Sequence, residues 1–238
     1  MNELSAAWML HSRPYKERSV IAEFLVEGHG RVAMVVRGVR QARSRHAPLL
    51  QPFTKVLTSW RGRGELKTLL TLEPCATVRL TGKALFCGLY INELVLRAVL
   101  PGHWLEGLSE LYEPVLEKLA DDLPVEPVLR LFEMELLELT GYLPSLFQDA
   151  ASGADIEPDR FYRLAHEQGL VPVDATRIDN QSFLYPGELL LALANRDFSN
   201  TCFYPGFKRF TRQALAPLTG NKPMRSRELF SKMATSTG

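Results

Sequence analysis

The chain has 238 residues, of which 46% are hydrophobic and 23% charged, with a formal net charge of +1. This composition fits a water-soluble globular protein of two domains. No apolar run approaches the roughly 18 to 20 residues of a membrane helix, and Glu3 stands where a signal peptide carries basic residues, so a cytoplasmic protein with no membrane partner is expected. Cys75, Cys87 and Cys202 form no C-x-x-C pair, and His11, His29, His46, His103 and His166 show neither H-E-x-x-H nor H-x-x-x-H spacing, so no metal and no cofactor are expected.

The first eighty residues read as five short strands, Ala6 to His11, Val20 to Val26, Arg31 to Arg37, Thr54 to Trp60 and Leu66 to Leu72. Each is rich in β-branched and apolar residues and ends in a turn or loop signal. Val32, Met34 and Val36 alternate with Ala33 and Val35, and Thr54, Val56, Thr58 and Trp60 share one side. Glu27-Gly28-His29-Gly30 and Arg61-Gly62-Arg63-Gly64 supply hairpin glycines. Five antiparallel strands in this length predict an OB-fold β-barrel over residues 1–80.

From Thr81 the period becomes helical. A helix is expected over Lys83 to Leu100. Leu108, Leu111, Tyr112, Val115 and Leu119 form the apolar face of another, with Glu106, Glu110, Glu113 and Glu117 opposite. Leu129, Phe132, Leu136 and Leu139 mark a third, stopped at Thr140-Gly141. Gln148 to Asp159 reads as a loop, and Phe161 to Val173 and Arg177 to Phe183 as extended segments. Pro186 to Asn195, Pro205 to Leu218 and Ser226 to Met233 return to helix. The expected architecture is α+β in two domains: the barrel, then a mainly α-helical domain over 81–238 with a short extended insertion near 160–183.

Charge is unevenly distributed. Residues 31–67 hold Arg31, Arg37, Arg40, Arg43, Arg45, Lys55, Arg61, Arg63 and Lys67 against the single acid Glu65, whereas 106–160 hold fourteen acids against Lys118, Arg130 and Arg160. The C-terminal stretch is basic again, with Lys208, Arg209, Arg212, Lys222, Arg225 and Arg227. Basic ends around an acidic middle suit a polyanion-binding surface with another face reserved for different work. The run Arg37 to His46, four arginines and no acid, reads as a phosphate-contacting arm, with a solvated loop as the bland alternative. Lys208, Arg209 and Arg212 on one helix side, opposite Phe207 and Phe210, are a second candidate contact that Lys222, Arg225 and Arg227 could extend.

Phe53, Trp60 and Tyr15 are candidate base-stacking aromatics, with barrel core as the competing role for each. The Gly62 and Gly64 pair lacks phosphate-loop spacing. No Ser, Cys or Lys sits in a recognisable nucleophile elbow or triad string, and the acids lie mainly on amphipathic helix faces, so an enzyme is not expected.

His11-Ser12-Arg13-Pro14-Tyr15, Gly30-Arg31-Val32, Arg37-Gly38-Val39-Arg40, Leu50-Gln51-Pro52-Phe53-Thr54 and Gly62 to Thr68 follow in order through the N-terminal region. Further on stand Gly88 to Leu94, Arg130-Leu131-Phe132-Glu133 and Lys222 to Phe230. Together these strings resemble the RecO family of bacterial DNA repair proteins. The resemblance implies a cytoplasmic, nucleoid-associated recombination mediator of the RecF-pathway type. Such a protein binds single- and double-stranded DNA, anneals complementary strands, and works with RecR to load RecA onto strands coated by single-stranded-DNA-binding protein. It also implies that Arg130, with Leu129 and Phe132, receives the acidic, aromatic-ended C-terminal tail of that coating protein; a helical pair of Arg130 with Glu126 or Glu133 is the alternative. Some members carry a four-cysteine zinc motif, but Tyr142 to Phe161 here has no cysteine, so the chain resembles the zinc-free branch. A helical protein-binding adaptor with an incidental basic barrel, and an OB-type RNA-binding factor, are the competing readings.

Overall fold

The structure is a computed structural model that describes residues 3–41, 44–121, 123–165, 168–173, 183–220, 222–226 and 228–229. Five strands, β1 (Ser5–Tyr15), β2 (Ser19–Val26), β3 (Gly30–Val36), β4 (Thr54–Arg61) and β5 (Leu66–Thr77), close into a barrel in the order β1-β2-β3-β5-β4. Antiparallel strands throughout are expected from sequence, but β3 and β5 run parallel, with Ala33 opposite Leu66 and Val35 opposite Thr68. The reason is parity, since strands that alternate in direction cannot close an odd-membered ring without one parallel pair. The predicted alternation is present, with Val32, Met34 and Val36 buried along β3 and Thr54, Val56 and Thr58 along β4. Met9, Ala22, Phe24, Val26, Met34 and Val56 are among the residues that fill the barrel.

Helices α1 (Gly82–Ala98) and α2 (Leu108–Ala120) follow, and the chain divides into units comprising residues 1–125 with 221–238, and 126–220. By contacts the first unit thus holds α1 and α2 beyond the change of period at Thr81, because both pack on the outside of β1. Buried Asn92 donates to the Leu10 carbonyl at 2.8 Å and accepts from the Tyr112 hydroxyl at 2.5 Å. The Tyr112 ring lies 5.6 Å from that of Trp8. Burial raises the Tyr112 pKa, and the Asn92 contact opposes it only in part. Phe53, 3% exposed, packs so closely on Gly88 that an added Cβ there would meet its ring at 2.8 Å. Phe53 is therefore core and offers no surface to a base.

In the second unit, α3 (Val125–Leu139) precedes a three-stranded sheet ordered β7-β6-β8, formed by β6 (Phe161–Ala165), β7 (Gly169–Val173) and β8 (Tyr185–Pro186). Helices α4 (Gly187–Ala194) and α5 (Tyr204–Thr219) complete it. The segment expected to be extended over Phe161 to Val173 is a hairpin, β6 with β7. The expected extended segment Arg177 to Phe183 lies, except for Phe183, outside the described residues, as does part of the helix expected over Ser226 to Met233. Burial raises the Tyr185 pKa to about 12, and its hydroxyl donates to Gln213 Oε1 at 2.7 Å. No described helix is long and apolar enough to cross a membrane.

Candidate nucleic-acid interface

Strand register decides which cations share a surface. Val20 pairs with Val36, so the β1–β2 turn lies beside the exit of β3. Because β4 runs antiparallel to β1, its start at Thr54 and its partner Thr77 at the end of β5 face the same way. One end of the barrel therefore gathers residues 13–18, 37–41, 44–53 and 78–83. These carry Arg13, Lys16, Arg18, Arg37, Arg40, Arg45, Arg79 and Lys83, all exposed, against Glu17. None makes an ion pair with a described residue. Cations left without carboxylate partners repel one another and concentrate counterions, which is the condition that a polyanion relieves.

The C-terminal segment adds to this surface within the same unit. Glu93 on α1 accepts from the backbone N–H groups of Arg225 and Ser226 at 3.0 and 2.9 Å, from the Ser226 hydroxyl at 2.8 Å and from Arg97 at 2.6 Å. Burial alone pushes the Glu93 pKa up, but these hydrogen bonds outweigh it and hold the carboxyl below its ordinary range. The docked segment brings Arg225 near His11. Burial first, and then the Arg225 and Arg13 charges against the opposing Glu23 and Glu93, keep the His11 pKa below the usual imidazole value. Lys222 is exposed, and its carbonyl accepts from Arg97.

The expected contact residues separate into groups. Arg37, Arg40 and Arg45 are exposed on the basic end, and Arg61 and Arg63 are exposed on the β4–β5 hairpin. Arg43 and Arg227 lie outside the described residues. Arg31 and Lys55 are committed elsewhere. Arg31 donates to Glu23 at 3.0 Å and to the carbonyls of Leu96 and Val99 at 2.6 and 3.0 Å, tying β3 to the end of α1. Lys55 reaches Glu113 at 2.6 Å, with its charge 5.6 Å from the Trp8 ring. Half-buried Lys67 donates to the Gly62 carbonyl at 3.2 Å and braces the hairpin. On α5, Lys208 faces Glu126 at 3.7 Å, Arg209 lies over the Phe183 ring at 4.9 Å, and Arg212 is exposed.

The expected partner-binding group is not on a surface. Arg130 is 2%, Leu129 9% and Phe132 0% exposed. Arg130 donates to Glu133 at 2.8 Å and to the Thr211 hydroxyl at 3.3 Å, and Thr211 donates in turn to Glu133. The helical-pair alternative describes this arginine, and the correction has a simple cause: positions 129 and 132 belong to the buried stripe of α3, and Glu133 draws Arg130 in with them.

Counting a basic block from residue 31 to 67 misses Arg13, Lys16, Arg18, Arg79 and Lys83. Their signal, three cations in a turn of six residues and two flanking the first helix start, is present in the sequence but cannot be joined without strand register. The same count passes over exposed Trp104. Among the described residues no three His, Cys, Asp or Glu side chains form a metal-holding group.

Two family models divide the chain: Recombination protein O N terminal matches residues 1–78 and Recombination protein O C terminal matches residues 79–227. The chain belongs to the RecO family. The DNA repair protein RecO of Haemophilus influenzae (strain 86-028NP) is 39% identical over 97% of both chains. That of Vibrio cholerae serotype O1 (strain ATCC 39541 / Classical Ogawa 395 / O395) is 40% identical over 95% of this chain and 93% of its own. That of Vibrio vulnificus (strain CMCP6) is 39% identical over 97% and 93%. Membership of this family supports a role in DNA repair and recombination, and the five-stranded barrel is its OB-fold.

Proposed function

We propose that this protein is a non-enzymatic recombination mediator. It binds single- and double-stranded DNA through the basic end of its barrel, anneals complementary strands, and acts with RecR to load RecA onto strands coated by single-stranded-DNA-binding protein. The observation that carries the reading is the set of eight exposed cations at one barrel end that make no ion pair with a described residue, in a chain of a DNA repair family. Phosphate contacts of this kind give affinity without reading sequence, as repair at arbitrary sites requires. Annealing follows from the same chemistry, because neutralising two backbones at one surface removes the repulsion between them. With Arg130 buried, the tail of the coating protein needs a different receiving cation. Exposed Arg209 and Arg212 on α5 are the proposed candidates in the second unit.

The test is fluorescence-anisotropy titration of a labelled single strand at two salt concentrations, then strand annealing with and without the coating protein. Sequence-indifferent binding that weakens steeply with salt, with annealing that survives the coat, is the expected result. Absence of binding at low salt makes the adaptor reading the better account, and preference for RNA over DNA of equal length favours the RNA-binding one.

A further inference from the structure

OB-folds commonly present the outer face of strands two and three to nucleic acid. Here that face is largely closed. All residues of β2 from Val20 to Val26 are buried, those of the outer face as well as those that fill the barrel. By contrast β3 alternates between buried and half-exposed residues along its length, so its outer face, with Ala33 and Val35, remains accessible. The open part of the barrel has moved one strand along, to the seam between β3 and β5.

That seam is apolar. Leu66, opposite Ala33, is 41% exposed, and Leu70 further along β5 is 47% exposed. An aromatic ring stands at its start. On the β3 edge that β5 occupies from Ala33, Arg31 exchanges backbone hydrogen bonds with Gly102 and His103 at 2.7 and 3.4 Å. This segment lies on the β3 edge ahead of β5 and places Trp104, 57% exposed, at the level of Gly30, three residues or roughly 10 Å along β3 from Ala33, the partner of Leu66. Gly30 makes the approach possible: its φ is +70°, and an added Cβ would lie 1.8 Å from the His103 carbonyl oxygen. Arg61 and Arg63 flank the start of the seam, with Glu65 as the one acid of that hairpin, and Arg37 and Arg40 stand at its far end.

We propose that a single strand of nucleic acid lies along the β3–β5 seam, with one base stacked on Trp104 and further bases over Leu66 and Leu70. Its phosphates meet Arg61 and Arg63 at one end and Arg37 and Arg40 at the other. Charge complementarity selects this occupant, because arginines bracket the apolar strip at both ends. Bases supply faces for the strip and phosphates supply charges for the brackets. The proposal rests on the nucleic-acid-binding reading above and deepens it by separating two contacts: the seam takes unpaired bases, whereas the cations alone suffice for a duplex.

The experiment uses the full chain with an oligothymidylate and a duplex of equal length. Trp8 is 4% exposed and Trp60 is half-buried with its ring 5.0 Å from that of His29, so quenching by the oligonucleotide reports chiefly on Trp104. Trp104→Phe is expected to retain binding while losing most of the quench. Trp104→Ala and the double variant Leu66→Ala/Leu70→Ala are expected to bind the single strand about tenfold more weakly, with duplex affinity within twofold of the parent. Full quenching in Trp104→Phe, or unchanged single-strand affinity in both alanine variants while the parent binds, overturns the seam and leaves the DNA-binding reading intact. A parent chain that binds no DNA overturns both.

Discussion

The Arg31 guanidinium and the Glu23 carboxylate, on neighbouring strands of the barrel, meet at 3.0 Å with both side chains largely shielded from solvent. With the carbonyls of Leu96 and Val99 at the end of α1 that the same arginine holds, this makes a cation in the most basic stretch of the sequence part of the fold. Arg31→Ala removes a charge-assisted pair and leaves Glu23, only 8% exposed, without its partner. The expected cost is about 3 kcal/mol in chemical denaturation, with DNA affinity of the folded protein within twofold of the parent. A large loss of affinity without loss of stability would return Arg31 to the DNA contacts.

The exposed arginines behave in the opposite way. Arg37→Ala/Arg40→Ala deletes two side chains that touch no described carboxylate, so stability is expected to stay within about 0.5 kcal/mol. Binding weakens instead, and the plot of log affinity against log salt becomes shallower by about 1.4, roughly 0.7 for each single-strand phosphate that is no longer neutralised. An unchanged slope in anisotropy titrations places the phosphates elsewhere.

Arg130, Glu133 and Thr211 form a buried hydrogen-bonded network in the second unit. Truncating the arginine takes away the cation that lies 2.8 Å from a carboxylate 0% exposed, for which the expected cost is about 3 to 5 kcal/mol. Arg130→Ala should therefore lower the midpoint of denaturation, measured by circular dichroism, before any effect on partners is interpreted. A variant as stable as the parent that no longer binds the coating protein's tail would show that Arg130 reaches the surface after all.

Period two in β3 and β4 was legible from the order of residues, as were the two hairpin glycine pairs and the apolar faces of α2 and α3. What could not be read depends on distant partners. Nothing local to Arg31 announces Glu23 and the α1 carbonyls, and Leu129 and Phe132 beside Arg130 suit a binding patch as well as a buried stripe. The gathering of Arg13, Lys16, Arg18, Arg79 and Lys83 with Arg37 and Arg40 is a consequence of barrel closure. Trp104 stands in a loop with no periodicity, and only the backbone bonds of Gly102 and His103 to Arg31 of β3 give it a place. Local pattern fixes elements, whereas register and closure decide which charges meet.

Glu93 couples the C-terminal segment to pH. Its carboxylate accepts from the backbone of Arg225 and Ser226, and these contacts with the Ser226 hydroxyl and Arg97 hold its pKa below 4.5 despite burial. A carboxyl with a lowered folded-state pKa contributes stability that is present above the unfolded value and is lost as pH falls through the folded one. The segment at 222–226 should therefore stay docked at pH 7 and loosen below about pH 4.5, as Glu93 takes up its proton. Hydrogen-exchange protection factors for the Arg225 and Ser226 amides should fall across that interval. In Glu93→Gln they should already be low at pH 7 and no longer vary with acid. Because docking holds Arg225 near Arg13 and His11, the same variant is expected to lower DNA affinity severalfold at neutral pH while leaving the barrel's own denaturation nearly unchanged. Protection that persists in Glu93→Gln would mean that packing, not the carboxylate, holds the segment in place.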